Sequence, residues 1–210
     1  ETGCSNGYGG SMHLIDKNVN FMGSTAIVGN SIPVGVGLGV AAKLKKNKKI
    51  STIFFGEAAT EQGVFYESLN FAALKNLPIL FICENNLYSV YSSLNERQPK
   101  KRSLKNISSS MGVESIKVDE INVHEIYKIT KKYAAKVRRT NKPVLIEFMT
   151  YRYREHCGPN NDDNLRYRKR SEINKWRNKD PIKVFEKFLL KNKIVTKEEV
   201  LNIEKKIYSN

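Results

Sequence analysis

Two apolar runs, each ending in hard oxygen donors and joined by one amphipathic stretch, constrain this chain more than anything else in it. The first is Ile50 to Phe55, followed by Gly56-Glu57-Ala58; the second is Ile79 to Cys83, followed by Glu84-Asn85-Asn86-Leu87-Tyr88. Glu57 and Asn86 are 29 positions apart, room for a helix and a strand. Between them Phe65, Leu69 and Ala72 recur at helical spacing, so the segment reads as strand, helix over Val64 to Lys75, strand.

The alternation continues. Ser24 to Lys46 reads as a small-residue helix whose glycines let other backbones approach closely. A polar loop runs to about Lys101, and Ser115 to Val118 is a third strand. Val123 to Arg138 forms an amphipathic helix, with Val123, Ile126, Thr130, Ala134 and Val137 on one face, and Val144 to Met149 forms another strand. The tail is loop to about Ser171, then short helices with Ile182, Phe185 and Leu189 on one face. Strands alternating with helices imply an α/β fold, a parallel sheet with helices on both faces. Ligands bind such sheets beyond the carboxyl ends of the strands. Glu57, Asn86, and Arg152 with His156 all follow strands, so they converge on one edge.

Composition narrows the function classes. Hydrophobic residues at 40% place the chain among globular proteins. The longest apolar candidate, Ile27 to Leu44, is interrupted by glycines and Pro33, so no membrane span is expected. The net charge of +15 raises nucleic-acid binding, but the lysines are scattered and no nucleic-acid motif accompanies them. With screening over about 8 Å, diffuse charge points as well to an acidic protein partner, and no nucleic-acid role is expected. Three cysteines without a CxxC pair suggest neither a disulfide framework nor zinc, and Cys83 reads as a small buried hydrophobe. A reducing, cytosol-like compartment fits, the organellar matrix remaining open.

A carboxylate, an amide oxygen and backbone carbonyls suit magnesium or calcium rather than zinc. Ala58 and Ala59 would let a phosphorylated ligand lie against the backbone, Arg152 offers a planar fork for phosphate oxygens, and His156 adds a donor on the same loop. Singly each has a bland reading: a glutamate after a strand is ordinarily a capping or surface charge, Asn-Asn is turn chemistry, and a loop histidine lies in solvent. Joint placement at strand ends lifts the functional reading. No P-loop, GxGxxG, G-x-S-x-G or HExxH pattern competes with it.

The run Gly56 to Tyr88 resembles the thiamine diphosphate motif, which begins Gly-Asp-Gly and closes on Asn-Asn. Three segments are similar to the alpha subunit of the first, decarboxylating component of 2-oxo acid dehydrogenase complexes of the pyruvate dehydrogenase type. They are Gly9-Gly-Ser-Met-His13, Glu67 to Pro78 with Glu84 to Tyr88, and Thr150-Tyr-Arg-Tyr153 with His156; Asp180-Pro-Ile182 also fits. The resemblance implies a thiamine diphosphate-binding fold spanning 1–210 as one domain truncated at both ends, with an active-site loop over 151–170 and a helical tail over 171–210. It implies Glu57, Asn86 and Tyr88 as Mg2+ ligands, and Ala26, Val28, Ala58, Ala59, Asn86, Arg152 and His156 against thiamine diphosphate. His156 is the catalytic candidate. The implied reaction is oxidative decarboxylation of a 2-oxo acid, pyruvate or branched-chain, with acyl transfer to a lipoyl group on an acyltransferase component. The implied assembly is a heterotetramer with a beta subunit that supplies the activating glutamate. An acetoin dehydrogenase subunit and a degenerate, non-catalytic scaffold are the alternatives.

Three departures from the family pattern carry expectations. Glu57 replaces the aspartate and Ala58 the second glycine, so metal binding is expected to weaken without being abolished. Cys157 stands where some relatives carry a phosphorylated serine, so that control is not expected. The upstream helices that contribute a Tyr-Arg pair to the diphosphate are outside the sequence, so the chain alone is expected to be nearly inactive.

Overall fold

The computed structural model describes residues 3–119 and 122–209. Its strands are β1 (Ser51–Gly56), β2 (Ile79–Asn85), the two-residue β3 (Tyr88–Ser89) and β4 (Ser92–Ser93), β5 (Glu114–Val118) and β6 (Val144–Met149). Four of them form one sheet in the order β1-β2-β6-β5, with every neighbouring pair parallel. The other two make a small antiparallel hairpin that pairs Tyr88 with Ser93.

The helices are α1 (Ser31–Leu44), α2 (Gly63–Leu74), the single-turn α3 (Leu94–Arg97), α4 (Leu104–Ser110) and α5 (Val123–Thr140). The tail adds α6 (Arg170–Arg177), α7 (Pro181–Lys191) and α8 (Lys197–Tyr208). On one face of the sheet α1, α2 and α4 bury Ile32, Val36, Phe65, Leu69, Ala72 and Leu104 against Ile53, Phe55, Phe81, Cys83 and Leu145. On the other face α5 lays Ile126, Ile129, Tyr133, Ala134 and Val137 over Leu80, Ile82, Ile146 and Phe148. The expected α/β sheet with helices on both faces is what forms, and Cys83 is fully buried within it. Among the described residues no helix is long and apolar enough to cross a membrane.

Glycine spacing explains how tightly α1 sits on the sheet. A Cβ on Gly35 would lie 2.4 Å from Ile53 Cγ1, and one on Gly39 2.6 Å from Ile79 Cγ1. The Ser51 hydroxyl locks this approach by donating to Gly35 O at 2.7 Å.

Three readings are corrected. The helix expected from Ser24 begins at Ser31, because Gly29 adopts φ 85 and turns the chain just before it. Pro33 is tolerated in the first turn, where no helical N–H bond is required. The polar loop to Lys101 holds the hairpin and α3, and α4 follows it unforeseen, capped by Ser103 accepting from Asn106 N–H. Ile182 is 77% exposed rather than inward; Phe188 instead stacks on His124 at 5.1 Å, fixing α7 to α5.

Candidate functional site

Parallel pairing places the carboxyl ends of β1, β2 and β6 side by side. Gly56 pairs with Glu84, Asn85 pairs with Met149, and Thr150 N–H donates to Asn85 O at 2.9 Å. The chain leaves β1 through a 3-10 turn, Glu57–Glu61, which buries Glu57, Ala59 and Thr60 and half-buries Ala58. Ala26 and Val28 are exposed in the turn before α1. That turn lies beside the end of the 3-10 segment, since a Cβ on Gly29 would meet Gln62 Cγ at 3.2 Å.

Glu57 is only 2% exposed. Its Oε1 accepts from Arg97 Nη2 at 2.7 Å, and its Oε2 faces Asn86 N–H at 3.4 Å. Burial pushes its pKa up, while Arg97 and the backbone N–H groups pull the other way. Arg97 also pairs with Glu61 and donates through Nε to Ser92 O at 3.3 Å. Gln98 Nε2 reaches Glu61 Oε1 at 2.7 Å, and Arg102 extends the network to Gln98 Oε1 at 2.9 Å and Thr60 O at 2.7 Å. The result ties α3 and its neighbours to the turn after β1.

The two asparagines shape the loop after β2. Asn86 Oδ1 accepts from Tyr88 N–H at 3.1 Å, and Asn85 Oδ1 accepts from Leu87 N–H at 3.0 Å. These side-chain turns hold the backbone where Leu87 takes φ 74. Asn85 is buried, and its Nδ2 donates to the buried Glu147 Oε1 at 2.7 Å, linking β2 to β6.

The loop after β6 is held by a second polar network. Tyr88 Oη lies 2.9 Å from each Glu172 oxygen and Tyr151 Oη donates to the same carboxylate at 3.2 Å, which docks α6 beneath the edge. Burial, reinforced at Tyr88 by Glu172, pushes both tyrosine hydroxyls up. Arg168 pairs with Asp162 and lies over the rings of Tyr167 and Tyr151 at 4.9 and 5.3 Å. Tyr167, half-buried and donating to Asp162, is pushed up to about 12. Arg152 Nη2 donates to Val90 O at 2.6 Å and Tyr167 Oη at 3.0 Å, bridging the hairpin to this loop. Its Nη1 is buried without a hydrogen-bond partner, 4.0 Å from Asp162 Oδ2.

Of the residues singled out from the sequence, Glu57, Ala58, Ala59, Asn86 and Tyr88 lie together at one edge, and Arg152 joins them through the hairpin. His156 is exposed and takes no part in the hydrogen bonds that hold this edge. Sequence reasoning missed Arg97. The signal was Ser93-Leu-Asn-Glu96, a capping box that starts a helix, with Ser93 N–H donating to Glu96 Oε2 at 2.7 Å. Asp162, Tyr167, Arg168 and Glu172 were missed as well, because only folding brings them under the edge.

Residues 1–210 match the family described as Dehydrogenase E1 component. The chain is similar to pyruvate dehydrogenase E1 component subunit alpha of Rickettsia felis, 37% identical over 206 residues, covering 98% of this chain and 62% of that protein. It is also similar to the mitochondrial pyruvate dehydrogenase E1 component subunit alpha of Dictyostelium discoideum, 38% identical over 212 residues, covering 99% of this chain and 53% of that protein. The chain therefore spans about three fifths of the length of the Rickettsia relatives. Among solved structures, transketolase from Leishmania mexicana matches with a TM-score of 0.50 at 22% identity, over 60% of this chain and 20% of that one. A transketolase variant from Pichia stipitis matches with a TM-score of 0.52 at 21% identity over the same shares. These two likenesses bear on the fold alone.

Proposed function

The chain belongs to the dehydrogenase E1 component family, and on that premise we propose that it serves as the alpha subunit of a thiamine diphosphate-dependent 2-oxo acid dehydrogenase. The reaction is oxidative decarboxylation of pyruvate or a branched-chain 2-oxo acid, with the acyl unit passed to a lipoyl group on an acyltransferase partner. A beta subunit completes the enzyme as an alpha-beta heterotetramer.

One observation carries the reading. At a single sheet edge, Arg152 carries a buried guanidinium nitrogen that makes no hydrogen bond and has only the Asp162 carboxylate at 4.0 Å, on the loop that the resemblance assigns to the diphosphate. An unpaired buried N–H is costly to leave unmade, and an anionic oxygen is its natural acceptor. The small Ala58 and Ala59 keep the turn after β1 low enough for a bound group to approach its backbone. Ala26 and Val28, exposed beside that turn, suit the aminopyrimidine ring. When bound, thiamine diphosphate would supply the electron sink for the charge left when a 2-oxo acid loses carbon dioxide. The exposed His156 is free to meet substrate, on a loop whose two ends, Arg152 and Arg168, both lie against Asp162.

The divalent cation fits the residues less well than the diphosphate does. Glu57 is held by Arg97, and the Asn86 amide oxygen already accepts one hydrogen bond, from Tyr88 N–H. That observation favours, as a second reading, a non-catalytic subunit that retains the fold. The test is turnover of pyruvate by the full-length protein with its beta subunit, followed with an artificial electron acceptor. Activity that requires added thiamine diphosphate supports the enzyme; an assembled complex that binds the cofactor without turnover supports the scaffold.

A further inference from the structure

We propose that Arg97 holds the place of a divalent cation at this edge, so that the diphosphate of the cofactor binds here without metal. The inference rests on the thiamine diphosphate reading above and narrows it.

Glu57, the carboxylate that would ligate a metal, has both oxygens turned to N–H donors. Oε1 lies 2.7 Å from Arg97 Nη2, and Oε2 faces Asn86 N–H. Magnesium sits about 2.1 Å from its oxygen ligands in a strict octahedron. An ion at Oε1 would meet a guanidinium nitrogen already bonded to that oxygen, charge against like charge. The second candidate ligand is partly engaged, since Asn86 Oδ1 accepts one hydrogen bond, from Tyr88 N–H.

Charge balance points the same way. The network contains two carboxylates, Glu57 and Glu61, and two guanidinium groups, Arg97 and Arg102, linked through Gln98. A magnesium site depends on surplus negative charge from carboxylates and phosphates; this network carries none of its own. An arginine cannot yield by losing a proton, because its pKa lies above about 12. Arg97 is also held by the protein's own groups, through the Ser93–Glu96 capping box and its bond to Ser92 O. The glutamate in place of aspartate belongs to this exchange: the carboxylate serves an arginine carried on α3. The diphosphate would then take its positive charge from protein groups, with Arg152 Nη1, which makes no hydrogen bond, first among them.

The experiment is calorimetric titration of thiamine diphosphate into the full-length protein purified with its co-purifying subunits, first in excess EDTA and then in excess magnesium. Dissociation constants agreeing within about threefold are expected. Tightening by magnesium beyond that margin overturns the role of Arg97 and leaves the cofactor reading standing. Absence of binding in both conditions overturns both. Arg97→Ala is expected to convert a metal-indifferent site into one that binds weakly in EDTA and recovers with magnesium. Unchanged affinity of that variant in EDTA would also overturn the proposal. Should Arg97→Ala not fold, Arg97→Lys, which keeps a charge without the two-pronged fork, is expected to shift in the same direction by less.

Discussion

Replacing Arg97 by alanine removes the cation that faces a carboxylate only 2% exposed to solvent. The Asn86 N–H at 3.4 Å compensates only weakly, so Glu57 would remain charged with long backbone contacts in place of an ion pair. Breaking one side of a buried pair costs roughly 3–5 kcal/mol. Glu57 has an escape, however, which is to bind a proton. An unperturbed glutamate titrates near about 4.3, and each pH unit above that adds about 1.4 kcal/mol to the cost of holding it neutral, reaching about 3.7 kcal/mol at pH 7. The loss in Arg97→Ala is thus bounded at about 3.7 kcal/mol at pH 7 and shrinks to about 1 kcal/mol at pH 5. The sign follows from linkage. The variant raises the folded-state pKa of Glu57 further, so the folded state keeps its stability below the unfolded value and loses it as pH rises towards the folded one. Urea unfolding of the full-length protein at both pH values measures the difference. An equal loss at pH 5 and pH 7, or a loss under about 0.5 kcal/mol at pH 7, would mean the pair is not buried as described.

Arg152→Lys keeps the charge but cannot span Val90 O, Tyr167 Oη and an anion together, so thiamine diphosphate affinity is expected to fall about tenfold or more by calorimetry. Unchanged affinity would remove Arg152 from the cofactor site. Gly35→Ala is expected to cost about 1–3 kcal/mol in thermal unfolding, because its Cβ enters Ile53. Adding Ile53→Val, which lacks the Cδ1 that would lie 2.6 Å away, should recover part of that loss, and simple additivity would refute the contact. Tyr88, Tyr151, Tyr153 and Tyr167 all have hydroxyls pushed up by burial, so the docking of α6 and the loop is retained below the ordinary tyrosine pKa and lost as pH rises through the folded values, about 12 for Tyr167. An alkaline titration followed by tyrosinate absorbance should therefore show a late group of tyrosines that Glu172→Ala shifts earlier. Coincidence of the two curves would contradict the Glu172 contacts.

The sheet was legible because β1, β2 and β6 contain short apolar runs bounded by turn residues, and because α2 and α5 repeat their apolar residues at helical spacing. The edge was legible for the same reason, since parallel strands bring their carboxyl ends together. What escaped depended on partners far apart in the chain. Arg97 and Glu57 are 40 positions apart and meet only because a two-strand hairpin and a single helical turn fold back over the 3-10 segment. The start of α1 was misplaced by local continuity, small apolar residues running through Gly29, although Gly-Asn-Ser ahead of Pro33 spelled the boundary.

Glu57 shows why a substitution is misread when it is taken alone. Beside an aspartate-based motif, the added methylene looks like damage to a metal site, and weaker metal binding is the natural expectation. Beside Arg97 the same residue is half of an ion pair with a 2.7 Å contact, a nearly dry environment and a capped helix holding its partner in place. Random loss of a metal ligand would leave its carboxylate without charge compensation, and burial would then drive it to the neutral form. Here a fixed cation opposes that drift, and Glu61, Gln98 and Arg102 continue the same network outward. A site merely decaying has no need of such compensation. The geometry therefore argues for exchange of one cation for another, and metal dependence of cofactor binding is where the two histories part.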